Sequence, residues 1–316
     1  MQEKSLDLQH ADCDADRVPL RPLLALLALA ATWGGSYLLI AVALESTTAA
    51  ALTLGRFVPA AVLVALLAGR QLSALRGRWR AVSLLALVQQ AVPMLLIALG
   101  ERDVPSGLAG TLVACAPLWG ALLAPALGRP APSRLGWTGL VVGIAGVGLL
   151  LGAGTTDRDG LLGGGLILLA AAGYAVGAAW TAQDFRDVPR LALLTGVLTA
   201  SSVLLVPAVL LDLPDRLPTA RGVLAVAVLG VVGTGAAFIA FYWLVDQVGP
   251  ERTILVTYLA PVFAVGYGAV LLDERVTVLG VTGLVLVVTG AWLAGRTPGS
   301  ARRAVANEAA PLSAAR

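Results

Sequence analysis

The sequence predicts an all-α membrane protein, with ten transmembrane helices arranged as two inverted five-helix repeats. Three observations carry this reading. The chain of 316 residues is 58% hydrophobic and only 13% charged, against about a quarter charged in a soluble domain. Its apolar runs reach the ~18–20 residues that cross a hydrocarbon core of about 30 Å as a helix. A stretch late in the first half of the chain recurs late in the second half.

Taken in order, residues 1–21 form a polar tail that is expected to be disordered and cytoplasmic. The apolar run that follows is too long for a signal-peptide core, and no convincing cleavage site accompanies it, so it is read as the first span. The predicted spans are 22–44, 48–69, 81–99, 105–127, 135–152, 161–182, 190–211, 221–244, 251–271 and 275–294. Turn and charge signals mark the joints, among them Glu45-Ser46, Arg70 to Arg80, Glu101-Arg102-Asp103, Gly128-Arg129-Pro130, Asp157 to Gly160 and Asp273-Glu274-Arg275. No joint is long enough for a soluble domain. The segment 296–316 reads as a second cytoplasmic tail. The alternating ten-residue segments of a β-barrel are missing.

Lysine and arginine placement sets the orientation. Both tails and the joints after even-numbered spans hold Lys4, Arg17, Arg21, Arg70, Arg76, Arg78, Arg80, Arg129, Arg134, Arg186, Arg190, Arg252, Arg296, Arg302, Arg303 and Arg316. The joints after odd-numbered spans hold only Arg102, Arg158, Arg216, Arg221 and Arg275. The excess of positive charge marks the cytoplasmic side, which places both termini there, in a multi-pass protein of the cytoplasmic (inner) membrane. Nine or eleven spans would break the separation.

The repeat is an ungapped match of residues 98–151 with 242–295, at an offset of 144. Val104 pairs with Val248, Ala116-Pro117 with Ala260-Pro261, Leu135-Gly136 with Leu279-Gly280, and Thr138 to Val141 with Thr282 to Val285. Gly146 pairs with Gly290. The match carries spans 4 and 5 onto spans 9 and 10, so the duplicated unit has five spans. An odd unit inserts its two copies with opposite topology. Such inverted repeats characterise transporters, whose sites lie between the halves near the membrane midplane.

Several residues invite a chemical role. Arg56 is the charged residue well inside a span, roughly 12 Å deep at ~1.5 Å per residue. It must face protein or water and have partners there. One reading makes it a contact for a substrate carboxylate. The other, which is favoured, makes it a brace between helices, bonded to carbonyls and to Glu45. Gln89 and Gln90 are adjacent amides in span 3, and at least one should face inward, for binding or for helix–helix bonding. Trp33, Tyr37, Trp119, Tyr174 and Tyr258 lie deep in their spans and suit the wall of a cavity for a small amphipathic solute, or ordinary packing. Trp180 and Trp243 lie near span ends, as interfacial anchors do. Pro117 and Pro261 would bend equivalent helices. The Gly139/Gly143 and Gly173/Gly177 pairs permit close helix contact.

Other classes find no support. The sole histidine, His10, is in the tail, so no nucleophile–base pair and no histidine metal site is expected in the membrane region. Cys13 and Cys115 do not make a disulfide framework. Gly163-Gly164-Gly165 lacks the Lys-Ser/Thr of a phosphate loop, so no nucleotide cofactor is expected. No span centre holds a carboxylate, and no acidic proton carrier is visible. The dispersed positive charges do not suggest a nucleic-acid partner.

The segment from Ala98 to Ala109 ending in Ala116-Pro117-Leu118 resembles the EamA unit of the drug/metabolite transporter superfamily. So do Gly233 to Phe238 followed by Val256-Thr-Tyr-Leu-Ala-Pro-Val-Phe263, and Trp33-Gly-Gly-Ser36 with Arg56-Phe57 in the first half. The resemblance covers 22–152 and 161–295 as two units. It implies a secondary transporter, most plausibly an exporter, of a small organic solute such as an amino acid, a related metabolite or a drug. Alternating access would open a cavity walled by spans 1, 3, 4, 6, 8 and 9. Its partners would be that solute, membrane lipid, and a coupling proton or counter-substrate. In one respect the chain departs from the family: an acidic residue follows span 9 as Glu274, but the equivalent position in the first half is Pro130. An intramembrane enzyme or a lipid-handling membrane protein is the alternative.

Overall fold

The protein is described from a computed structural model covering residues 20–154 and 157–295. Residues 1–19 and 296–316 lie outside the described residues, and with them His10 and Cys13, while Leu20 and Arg21, expected in the tail, already belong to the first helix. Every long element among the described residues is helical. Seven helices are long and apolar enough to cross a membrane: α1 (Leu20–Leu44), α2 (Ala49–Leu75), α3 (Trp79–Gly100), α5 (Arg134–Gly154), α6 (Arg158–Asp184), α7 (Arg190–Leu211) and α8 (Ala220–Pro250). Three shorter apolar helices complete the set: α4 (Ser106–Leu122), α9 (Leu255–Leu271) and α10 (Val278–Ala294).

The starts are written locally. Thr48, Asp157, Thr219 and Thr277 each accept a hydrogen bond from the backbone N–H three residues on, and Ser133 does the same for Gly136. These are N-caps, which satisfy donors that the first turn leaves over. Ser133 and Thr277 stand at the repeat offset, as do the glycines they cap.

Breaks also have local causes. The fourth span, expected as one helix over 105–127, is interrupted at Ala114-Cys115 and ends at Leu122, with a 3₁₀ turn at Pro125–Leu127. Pro117 has no N–H to return to the carbonyl of Val113, and the chain tightens there, with Cys115 N–H bonding Leu112 O at 3.1 Å. Two π-helical segments, Leu87–Ala91 in α3 and Val231–Ala236 in α8, begin at positions separated by the same repeat offset. Each adds a residue to the turn and so redirects side chains inside an otherwise regular helix.

Many small residues pack inside beside large ones such as Phe57 and Ile40, while other large apolar residues lie outside. Leu66, Leu211 and Val278 are almost bare, while Ala30, Ala43, Ala60, Ala98 and Ala109 are completely buried. This arrangement suits a protein whose outer solvent is lipid, where association rests on close backbone approach. The most extensive helix contact joins α5 to α10. They run antiparallel, since Gly139 meets Gly290 while Gly146 meets Gly283. Further packed pairs are α2 with α7, α4 with α9, α1 with α9, α4 with α6, α3 with α6, α1 with α8, α2 with α8 and α3 with α7.

Polar links between the joints fall into two sets. One unites Arg78 with Asp187 (2.9 Å), Arg190 with Asp246, and Gln183 with the carbonyl of Leu127 (3.0 Å). The Arg78 hydrogen bond holds the Asp187 carboxyl below the ordinary carboxylate range. The other set unites Arg102 with Asp212 (3.4 Å), Arg221 with Glu45 (3.6 Å), and Thr219 with Ser46 (3.1 Å). Glu45 is therefore the partner of Arg221, not of Arg56 as the sequence reading allowed. Glu45 follows the far end of the first span, and its short side chain stays more than half exposed there.

Candidate functional site

The site is built around two buried charges. Among the described residues, the charged side chains that are buried are Arg56, 3% exposed, and Glu101, 7% exposed. Arg56 projects from α2, where the tight approach of Gly230 to the Arg56 backbone and to Pro59 locks α2 against α8. Its Nε donates to the Thr234 hydroxyl at 3.0 Å, and its Nη1 donates to the Met94 sulfur at 3.4 Å. Thr234 lies in the π-helical segment of α8 and passes its own hydrogen to the Leu229 carbonyl at 2.9 Å. Arg56 thus links α2, α3 and α8, through a hydroxyl and a thioether and not through carbonyls. A thioether is a weak acceptor, and the guanidinium keeps donors over.

Around it lie groups that feel its field: Tyr37 on α1, Tyr174 on α6, and Glu101 after α3. Tyr37, Tyr174 and Tyr258 all pack on the same buried core. Tyr37 and Tyr174 lie towards Arg56, while Tyr258 shares only the extended core with them. Trp33 stands apart, against Phe238 and Phe241 at centroid distances of 5.7 and 5.5 Å. Trp119 is half-buried on α4. Gln89 packs on Gly177 of α6, and its Oε1 accepts from the Thr181 hydroxyl at 3.2 Å, so helix–helix bonding accounts for it. Gln90 is buried in the π-helical segment of α3, at the repeat equivalent of Thr234. Pro261 is buried and Pro117 half-buried in equivalent helices.

Glu101 is the residue that sequence reasoning missed. It stands first in a charged triplet, which read as a joint. Its N–H still bonds Ile97 O at 2.9 Å, so the helix carries it one step further and turns it inward while Arg102 and Asp103 face out. The available signal was its spacing: Glu101 follows Met94 by seven and Ala98 by three, on one helical face. Neither carboxylate oxygen of Glu101 has a hydrogen-bond partner, and neither does the buried Ser106 hydroxyl.

A second carboxylate closes the same end of the bundle. Glu274, in the joint after α9, accepts from Ser106 N–H at 2.7 Å and from Gly107 N–H at 2.9 Å. The first turn of a helix carries partial positive charge and unpaired donors, so a carboxylate is held well there. The fit depends on small neighbours. A Cβ on Gly268 would sit 2.2 Å from Glu274 Oε2, and one on Gly107 would sit 3.1 Å from it. Glu274 therefore ties the start of α4 to the end of α9 across 168 residues of chain.

Open clefts lie elsewhere. One of about 200 Å³ runs between Thr47, Pro214, Pro218 and Val226, and one of about 450 Å³ between Gln71, Arg190, Tyr242 and Asp246. Neither is lined by the residues of the buried cluster. No group of three or more metal-binding side chains occurs among the described residues.

Comparison with known proteins completes these observations. The model of the EamA-like transporter family matches twice, over residues 20–152 and 161–296. The uncharacterized inner membrane transporter YedA of Escherichia coli strain K12 is 30% identical over 281 residues, 85% of this chain and 91% of that one. A probable terminal-alkyne amino-acid exporter of Streptantibioticus cattleyicolor is 28% identical over 294 residues, 88% of this chain and 95% of that one. A solved crystal structure with 20% sequence identity superposes with a TM-score of 0.64, covering 87% of this chain and 97% of that one, a likeness of fold.

Proposed function

The chain belongs to the EamA-like transporter family, a membrane protein of the inner membrane, and from that premise we propose that it exports a small organic solute by alternating access between two inverted five-helix halves. The observation that carries the proposal is the packing. Replace each helix by the one five further on, and the most extensive packed pairs map onto one another: α1–α9 becomes α6–α4, α3–α6 becomes α8–α1, α2–α8 becomes α7–α3, and α5–α10, α2–α7 and α4–α9 return to themselves. The close glycines obey the same exchange, since Gly139 is the equivalent of Gly283 and Gly146 of Gly290.

The division of the joints into two sides has independent support. The first set of polar links joins only joints assigned to the cytoplasm by positive charge, and the second joins only joints assigned to the opposite side. Glu274 with Ser106 and Gly107 belongs to the second set. In this arrangement the outer end of the bundle is held shut between halves. Opening it would require Glu274 to leave the α4 terminus, and the cavity exposed would present Tyr37 and Tyr174 beside Arg56. Aromatic walls with a few convergent polar groups suit a small amphipathic solute. The relative named as an amino-acid exporter makes amino acids and their derivatives the first substrates to try.

The experiment is flux in proteoliposomes. Purified full-length protein should move labelled amino acids or related metabolites down a gradient with no nucleotide present. A strict need for ATP hydrolysis by this chain would overturn the secondary-transport reading. Chemical turnover of the solute without net movement would favour an intramembrane enzyme instead.

A further inference from the structure

A buried carboxylate with no donor is costly, because the charge loses water and gains nothing in return. Glu101 is in that position. Its oxygens have no partner, and the Ser106 hydroxyl nearby in the chain has none either. The wall beside it is tight: Gly100 and Gly163 approach so closely that a Cβ on Gly100 would sit 2.6 Å from Gly163 O. Glu274 holds the Ser106 and Gly107 backbone a few residues further along the chain.

The charges that face Glu101 can be named element by element. Arg56 on α2 attracts a negative charge there, while Glu274 in the joint after α9 repels one. Tyr37 on α1 lies in the field of Glu101, and Tyr174 on α6 lies in that of Tyr37 and Arg56. On its own segment Arg102 and Asp103 point outward, and Arg102 is taken by Asp212. At the start of α6, Arg158 and Asp159 are exposed. Arg56 forms no ion pair with Glu101, since its bonds go to Thr234 and Met94. The cluster therefore lacks a fixed cation in contact with this carboxyl.

We propose that Glu101 is a proton-binding site that takes a proton from the outside water as Glu274 closes the outer end of the bundle and returns it to that water when the clamp opens. The neutral acid needs no compensating charge in the closed bundle. Release of the proton leaves a carboxylate that water can solvate once α4 and α9 part, and Arg56 favours that charge. Uptake and release on the same side move no charge across the membrane; they tie the opening of the outer end to the outside pH, a role in transport that rests on the transporter reading given above.

The test is a pH titration by infrared spectroscopy of full-length protein in liposomes of bacterial polar lipid, from about pH 5 to about pH 9, against an ordinary glutamic acid near 4.3. Wild-type protein should show the carbonyl stretch of a protonated carboxyl that persists at neutral pH. The band should be lost in Glu101→Gln and displaced in frequency in Glu101→Asp. Glu274→Gln, which weakens the clamp, should move the midpoint towards the ordinary range. If Glu101→Gln is not monodisperse, the displacement in Glu101→Asp decides the assignment. A wild-type protein without the band at neutral pH, or the same band in both Glu101 variants, would overturn the proposal. The readout needs no solute, so it separates from the flux assay: a band without flux undermines the transport reading alone, and flux without a band undermines this inference alone.

Discussion

Arg56→Ala should abolish most of the folded protein recovered from the membrane. The substitution removes a charged donor from the Thr234 hydroxyl and the Met94 sulfur and empties the space of a long side chain where α2, α3 and α8 meet. A hydrogen bond from a charged group contributes about 1.5–3 kcal/mol, and the cavity adds to that loss. Folded proteins are stable by only about 5–15 kcal/mol, so losing a few changes abundance several-fold. Arg56→Lys should recover part of the yield, because lysine keeps a charge but lacks the planar fork that reaches two helices. The measurement is monodisperse protein after detergent extraction, with its melting temperature. Normal yield and melting with transport lost would contradict the brace and make Arg56 a contact for the solute.

Gly290→Val should have a comparable effect through repulsion. A Cβ on Gly290 would sit 2.5 Å from Gly139 O and from Gly143 N, and 2.6 Å from Gly143 Cα. All three are backbone atoms, which cannot swing aside as a flexible side chain does. α5 and α10 would have to separate along their whole contact. Overpacking costs typically about 1–3 kcal/mol and more when backbones must move. Gly290→Ala should already destabilise, and Gly290→Val more. Gly148, on the same α5, faces open space, and Gly148→Ala should be neutral or slightly stabilising, since alanine is the better helix former by up to about 1 kcal/mol. Thermal melting of the three variants in one detergent checks the contrast. Equal melting of Gly290→Val and wild-type protein would show that α5 and α10 do not meet here.

Helix positions were legible because hydropathy and length decide what can cross lipid: seven of the expected spans are helices long enough to cross, and the fourth, ninth and tenth are shorter apolar helices. The interruption of the fourth span was legible only in part. Pro117 marks the place, but not that the chain would tighten two residues earlier and stop at Leu122. Arg56 was legible as a buried charge, because an apolar run of that length leaves a guanidinium nowhere else to go. Its partners were not, since Thr234 and Met94 are distant in sequence and ordinary in composition. Glu101 was hidden by its company: Arg102 and Asp103 made a loop of the triplet, and only the extra helical residue turns the first member inward. Glu274 stood out as an acid without a counterpart at Pro130. Its role as a cap on the other half's helix requires tertiary structure, because nothing near it in sequence supplies the two N–H donors.

The opposed insertion of the two halves is tested most directly by the repeat-equivalent pair Arg102 and Asp246, which stand at the offset of 144. Both are exposed and held by surface ion pairs, which contribute little to stability. Single cysteines at these positions, in a background with Cys13→Ser and Cys115→Ala, would be treated in intact cells with a membrane-impermeant maleimide. The account expects Arg102→Cys to be labelled from outside, and Asp246→Cys only after the cells are opened. Labelling of both from the same side would mean that the halves insert in the same direction, and would contradict the inverted repeat and the alternating access built on it.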